Sequence, residues 1–378
     1  MPFAFPDLSS YTKDNTTIGV VGSHSALEIS YGAKAEGLKN LVIAQEGREK
    51  TYNTHYKFDP IHKKGCVDDV LILPHFKDML SSEVQQNLLD KKVLFVPHRS
   101  FEVYVCQDDY SVLDHATFPT PMLGNRALLA AEERFEDKNQ YYLLEKSGVP
   151  FPQLYTHPDQ IDRLVIVKVP EKTRKFERGF FLAKSPQDFR VKAEMLIEND
   201  MISEDALKKA VIEEFVIGPV VNLNFFYSPL TESLELLGTD MRRQTNMDGI
   251  FRIPAWQQLE LADSLKPKFE EAGHIACTVL ESMIERVYEL GERFVATVQS
   301  EYPDGLIGPF ALQCAIKSGP PKKDFVCFDV SLRMPGSPGI AATPYSAYLW
   351  GEPMSMGRRI AKEVQLALAE NALEKIVT

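Results

Sequence analysis

Residues 308–333, GPFALQCAIKSGPPKKDFVCFDVSLR, read as two β-strands joined by a Gly-Pro-Pro-Lys-Lys turn. Side chains alternate along a strand, so Asp329, Ser331 and Arg333 share one face while Phe328, Val330 and Leu332 take the other. On the first strand Phe310, Leu312, Cys314 and Ile316 form the apolar face, and Gln313 stands between the small residues Ala311 and Ala315. Gln313 and Asp329 are thus expected to meet across the pair. A carboxylate, an amide oxygen and a guanidinium on one face suit a magnesium-bound polyphosphate, because hard oxygens hold the ion and arginine holds phosphate. A hairpin with one face in water shows the same alternation, so the flanking chain has to decide between the two.

The whole sequence narrows the choice. Its 378 residues, 44% hydrophobic, are enough for two or three domains. The net charge of −11, from 53 acidic and 42 basic residues, argues against nucleic acid or an anionic membrane as partner. Any phosphate has to be met by local basic groups. Five scattered cysteines without a C-x-x-C pair signal neither zinc nor a disulfide framework, and reduced thiols fit an intracellular protein. The sequence has no secretory leader pattern and no apolar run of membrane-spanning length, so a soluble cytoplasmic protein is expected. G-x-S-x-G and H-E-x-x-H are absent, which speaks against hydrolase and metalloprotease chemistry.

Upstream, TIGVVGS (17–23) is a strand running into helix-like residues 25–37 that close on Gly37. Further strands at 41–46, 68–73 and 93–98, with a helix opening at Ser82, predict a small parallel sheet. Ligands collect beyond the carboxyl ends of such strands. His24 follows the first strand and His98-Arg99-Ser100 the fourth. The junction is not G-x-G-x-x-G, so a dinucleotide fingerprint is not supported.

Residues 105–125 suit a domain boundary, and a helix is expected from Arg126 to Lys146. The strand VIVKV (165–169) places Lys168 among apolar residues, where an ammonium needs an anion. A basic turn, EKTRKFERG, precedes a further strand at 179–185. Residues 211–228 read as a β-forming run that starts with Glu213 and Glu214. A strand from 234 then leads to a loop with Arg242, Arg243 and Asn246, an Asp-Gly turn and a short strand holding Arg252. Leu280 to Val298 is a long amphipathic helix, and a last helix carries Arg358, Arg359, Ile360 and Val364.

This order resembles the ATP-grasp ligases. Within them GSHSALEI (22–29), VPHRSF (96–101), PMLGNRALL (121–129), the segments 213–229 and 240–249, IGPFALQ (307–313) and EPMSMGRRIAKEV (352–364) look like PurP, the archaeal formate-dependent ligase family. The resemblance implies an α/β and α+β ATP-grasp fold with an N-terminal Rossmann-like domain over 1–120, a small subdomain over 121–215 and a C-terminal subdomain over 216–378. It implies that ATP converts formate to formyl phosphate, which then formylates aminoimidazole carboxamide ribotide. By resemblance His24, Ser100, Arg243 and Asn246 bind the ribotide, Lys168 and Glu214 bind ATP, and Gln313 and Asp329 bind magnesium or manganese. The implied partners are these small molecules and further copies of the chain, not nucleic acid or membrane. Two alternatives are a PurP-like ligase with another carboxylate or amine acceptor and a nucleotide-binding regulatory paralogue without turnover. The chain departs from the family in a glycine-poor phosphate loop (168–181), in Asp329 where a glutamate is usual, and in RMPGSPG (333–339) where a glycine-rich turn ends in Asn.

Overall fold

The computed structural model describes residues 6–107, 109–134, 136–169, 180–245, 247, 250–261, 271–319 and 321–378, and these build three sheets. The first holds β1 (Thr17–Val21), β2 (Lys39–Gln45), β3 (Asp69–Leu73) and β4 (Val93–Phe95), all parallel in the order β3-β2-β1-β4. Every residue of β1 is buried, as a central parallel strand covered on both faces requires. The order reverses at β1, which has β2 on one side and β4 on the other, so the carboxyl ends of β1 and β4 frame the crevice of the switch point.

The second sheet holds β5 (Leu154–Tyr155), β6 (Val165–Lys168), β7 (Phe180–Ala183) and β8 (Val211–Glu214) in the antiparallel order β5-β8-β6-β7. The third holds β9 (Val220–Ser228), β10 (Ser233–Arg243), β11 (Gly273–Cys277), β12 (Gly308–Lys317) and β13 (Asp324–Ser331), also antiparallel, in the order β11-β10-β9-β12-β13. One face of this third sheet packs on helix Ile284–Glu301 through Val287, Leu290, Phe294 and Val298. Phe310 stacks between Phe225 and Phe294 at centroid distances of 5.1 and 5.9 Å. Each such buried ring contributes about 1.5–3 kcal/mol. The opposite face carries polar side chains, with Phe226 joining the core of the first sheet.

The chain's two ends are joined. Helix Met356–Glu370 lies against helix Ala26–Ala35 with Gly32 and Gly357 backbone to backbone, since a Cβ on Gly32 would stand 2.0 Å from the Gly357 carbonyl carbon. Arg359, fully buried, pins the same helix to Glu235 of β10 and also bonds Glu363 one turn along its own helix.

Several expectations are corrected. The 211–228 run divides at Gly218-Pro219 into β8 and β9, which belong to different sheets. The helix expected over 126–146 is two helices, Ala127–Ala131 and Gln140–Ser147, the second capped by the Asn139 side chain, which accepts from the N–H groups of Tyr141 and Tyr142. Residues 250–252 form a 3-10 turn instead of a strand, and the Asp-Gly turn before them lies outside the described residues. Most of the glycine-poor loop also lies outside them. In the hairpin, Gln313 pairs with Asp329 and Cys314 with Cys327, so Phe328 is the extra residue of a β-bulge. Phe325, Cys327, Val330 and Leu332 therefore face the core, and Phe328 does not share a face with Val330 and Leu332.

Candidate active site

The antiparallel registers place four polar residues in one row across the third sheet: Asp240 on β10, Asn222 on β9, Gln313 on β12 and Asp329 on β13. A second row, Gly238, Asn224, Ala311 and Ser331, runs beside it. This is period-two alternation carried across the strands, with the helix-packed core on the far side.

At one end of the row, Asp329 accepts from Arg134 Nη2 at 2.8 Å. Arg134 Nε donates to the Tyr141 hydroxyl at 3.3 Å, and that hydroxyl donates to Glu213 at 2.6 Å. The other oxygen of Glu213 pairs with Lys168 Nζ at 2.5 Å, and Lys168 also donates to the carbonyl oxygen of Phe328 at 3.3 Å. Burial alone would raise the Asp329 pKa, but Arg134 and Lys168 outweigh it and hold the carboxyl below the usual range. Burial, reinforced by Arg134, lowers the Lys168 pKa against the pull of Glu213 and Asp329. Lys168, Gln313 and Asp329 are thus brought together, and the anion that Lys168 meets is Glu213. Glu214 lies at the rim, 3.4 Å from Lys317 and 4.0 Å from Arg163. Among the described residues no group of three or more His, Cys, Asp or Glu side chains gathers to cage an ion. One carboxylate opposite one amide is the donor set of a magnesium ion that keeps most of its ligands as phosphate oxygens and water.

At the other end, Asp240 accepts from Asn222 at 3.0 Å, from Asn224 at 2.8 Å and from His274 Nδ1 at 2.5 Å. The Ser337 hydroxyl bonds it as well. Burial opposes the charge on Asp240, yet the bonds from His274 and Asn224 hold its pKa low. Burial likewise opposes a charge on His274, and the bond to Asp240, with the Glu271 carboxylate nearby, overcomes it and raises that pKa.

The switch point of the first sheet faces this end. His98 Nε2 donates to the Val21 carbonyl at 2.9 Å, which leaves Nδ1 to accept from the Ser100 N–H at 3.2 Å. His24, in a left-handed conformation with φ 46°, stacks on His98 at 5.5 Å and shares a 2.7 Å bond with Ser25 Oγ. Its ring is open to the cleft. The protein wall around it, then the charges of His98 and Arg333, hold the His24 pKa below the usual range, while burial pushes His98 down to about 4. His274 and Glu271 lie within electrostatic reach of His24.

The segment 333–339 forms the seam between the two sheets. Met334 N–H donates to Pro97, the Pro335 carbonyl accepts from Ser25, Gly336 abuts the His24 ring, and Ser337 bonds Asp240. Arg333 is not available for a phosphate as expected. It is buried between Glu132, 3.1 Å away, and Glu102, 3.7 Å away. Arg243 closes β10 opposite Gly273, and Asn246 lies outside the described residues.

Residues 188–378 match the family described as "Domain of unknown function (DUF1297)", and residues 18–155 match "Protein of unknown function (DUF1246)". The chain is 38% identical to the 5-formaminoimidazole-4-carboxamide-1-(beta)-D-ribofuranosyl 5'-monophosphate synthetase of Methanopyrus kandleri, over 98% of this chain and 97% of that one. The solved structure of the IMP biosynthesis protein PurP from Thermococcus kodakaraensis matches at 30% identity with a TM-score of 0.69, covering 96% of this chain and all of that one. The chain belongs to the PurP family. PurP chains are ligases, so the protein is an enzyme. The N5-carboxyaminoimidazole synthetase of Staphylococcus aureus, solved with ADP, matches at 12% identity and a TM-score of 0.54, covering 87% of this chain and 74% of that one. At that identity the likeness bears on the fold alone, which is ATP-grasp.

Sequence reading did not find Arg134, Asp240 or His274 in this PurP site. Arg134 was hidden inside an apparent helix, and the five-residue edge strand β11 carries no alternation to reveal His274. Asn222 and Asn224 did leave a signal: two amides at period two inside an apolar strand.

Proposed function

We propose that the protein is the ATP- and formate-dependent ligase that converts aminoimidazole carboxamide ribotide to its formamido product through formyl phosphate. The observation that carries this reading is the single row from Asp240 to Asp329. Its two ends, Asp329 with Gln313 and Asp240 with His274, stand on one floor, which supports a nucleotide-phosphate end beside a ribotide end. A formate oxygen attacks the γ-phosphorus of ATP and ADP leaves. The ribotide amine then attacks the formyl carbon, the bond to phosphate oxygen breaks, and the amine gives up a proton.

In this scheme Lys168 and Arg134 turn from Glu213 and Asp329 towards the phosphates, and Glu214 at the rim meets the nucleoside. Asp329 and Gln313 would hold magnesium, or manganese in its place. When bound, the ion neutralises charge developing on the transferred phosphoryl group. His24 and Ser100 from the first sheet, with Arg243 from the third and with Asn246, hold the ribotide. The division at 120 and 215 then gives each sheet its own unit, with the last helix returning to the first. No helix among the described residues is long and apolar enough to cross a membrane. A cytoplasmic homo-oligomer acting on small molecules completes the proposal.

The test is ADP release by the purified protein with magnesium and ATP, with formate and ribotide each omitted in turn. Release requiring both, with formation of the formamido ribotide, supports the assignment. Release with a different acid or amine favours a ligase with another acceptor. Tight ATP binding without ADP from any pair favours the regulatory paralogue.

A further inference from the structure

A ribotide brings a phosphomonoester, and its charge has to be balanced. The residues that reach it from the first sheet supply hydrogen bonds but little positive charge. The pKa values of His24 and His98 are both held low. Arg99 is paired with Glu102 at 2.8 Å and Glu133 at 3.2 Å, and Arg333 with Glu132 at 3.1 Å. The seam between the sheets is therefore polar, and its arginines already face carboxylates, although Arg333 Nε, 3.7 Å from Glu102, makes no hydrogen bond.

The positive charge stands across the cleft. His274 on β11 lies opposite Arg242 on β10. Asp240 fixes the His274 ring through Nδ1, so the other nitrogen, Nε2, is aimed away from the sheet floor, 3.7 Å from Glu271 and beyond hydrogen-bond length. Arg242 Nε is 3.8 Å from the same Glu271 oxygen and is buried without a hydrogen-bond partner. A guanidinium and an imidazole thus share one carboxylate at long range, with an orphaned donor between them. A buried donor left in this way calls for an acceptor.

We propose that His274, oriented by Asp240, binds the phosphate of the ribotide together with Arg242, opposite His24. This deepens the ligase reading and rests on it for the identity of the ligand. Asp240 is a positioning residue here: its carboxylate fixes the imidazole, and its neighbours Asn222, Asn224 and Ser337 hold that carboxylate in place. The groups that face His274 are Asp240 and Arg242 on β10, Glu271 just before β11, and His24 across the cleft. A ring raised in pKa by the two carboxylates is cationic at lower pH and loses its charge as pH rises.

Titration calorimetry of the full-length protein tests this with three probes: the ribotide, the riboside lacking phosphate, and ATP. His274→Asn should weaken the ribotide at least about tenfold, as loss of one charge-assisted hydrogen bond does. It should leave the riboside and ATP unchanged. Arg242→Gln should show the same selectivity. The advantage of wild type over His274→Asn should be full at low pH and shrink as pH rises through the His274 pKa. Equal weakening of ribotide and riboside, or no weakening of either, overturns the proposal. Unaltered ATP binding shows that the variants fold. The readout is binding without turnover, so absence of formyl transfer would defeat the ligase assignment without touching this result, and the reverse also holds.

Discussion

Lys168 crosses from β6 to the carbonyl oxygen of Phe328, 3.3 Å away, at the bulge that keeps Asp329 opposite Gln313. One ammonium therefore ties the small sheet to the hairpin and, through Glu213 at 2.5 Å, to the network that ends on Asp329. Lys168 is also proposed to meet a nucleotide phosphate, so it has a structural and a chemical duty that substitution can separate.

Lys168→Met removes the partner of the buried Glu213 and should destabilise the fold by about 3 kcal/mol, the lower end for breaking a buried pair. The double variant with Glu213→Gln should recover most of that stability in denaturant titration. Neither variant should recover turnover, which is expected to fall about 10²–10³-fold, as when a charge-stabilising donor is lost. Activity returning along with stability would make Lys168 a structural tie alone.

Asp329→Asn keeps the shape of the side chain and removes its charge. ADP release should be abolished, while ribotide affinity measured by calorimetry stays nearly unchanged, because the proposed ribotide end of the row rests on Asp240 and His274. Unchanged turnover would mean that the hairpin is not the metal site.

The fold and part of this site were legible because they rest on periodicity. The Asp329 face, the pairing of Gln313 with Asp329 and the strand ends carrying His24 and Ser100 all follow from alternation and β-α-β order. Local pattern does not report which sheet a strand joins, so 211–228 read as one β-forming run, and only the boundary at 215 implied by resemblance cut it between β8 and β9. It does not report a bulge either, so Phe328 was placed on the wrong face. Arg134 and His274 act through partners 195 and 34 residues away in sequence, Asp329 and Asp240, and no window of the chain contains those contacts. RMPGSPG looked like the loss of a ligand loop. In three dimensions it is the seam that seats His24 against the third sheet.

Gly336 makes that seam specific. A Cβ there would stand 2.5 Å from both Cε1 and Nε2 of His24. The imidazole is the end of a side chain and can swing away, so Gly336→Ala should change stability by only about 1 kcal/mol, the lower end for overpacking. The displaced ring should raise the KM for ribotide several-fold and leave the KM for ATP unchanged. Steady-state kinetics with each substrate varied in turn checks this. Equal effects on both constants would place His24 outside the ribotide site.

His98 gives the protein a defined response to acid. Burial lowers its pKa from the ordinary 6.5 to about 4, so below pH 6.5 the unfolded chain binds a proton that the folded chain refuses. Its contribution to stability is full above pH 6.5 and is lost as pH falls to 4. A difference of that size corresponds to about 3 kcal/mol. His274 works in the opposite sense, because its raised pKa favours the folded state at low pH, whereas the lowered pKa of His24 acts in the same sense as that of His98. Denaturant titrations at pH 7, 5.5 and 4 should show stability declining in wild type and declining less in His98→Gln, which has no proton to gain. Parallel curves for the two proteins would mean that His98 is protonated in the fold, which is incompatible with Nδ1 accepting from the Ser100 N–H.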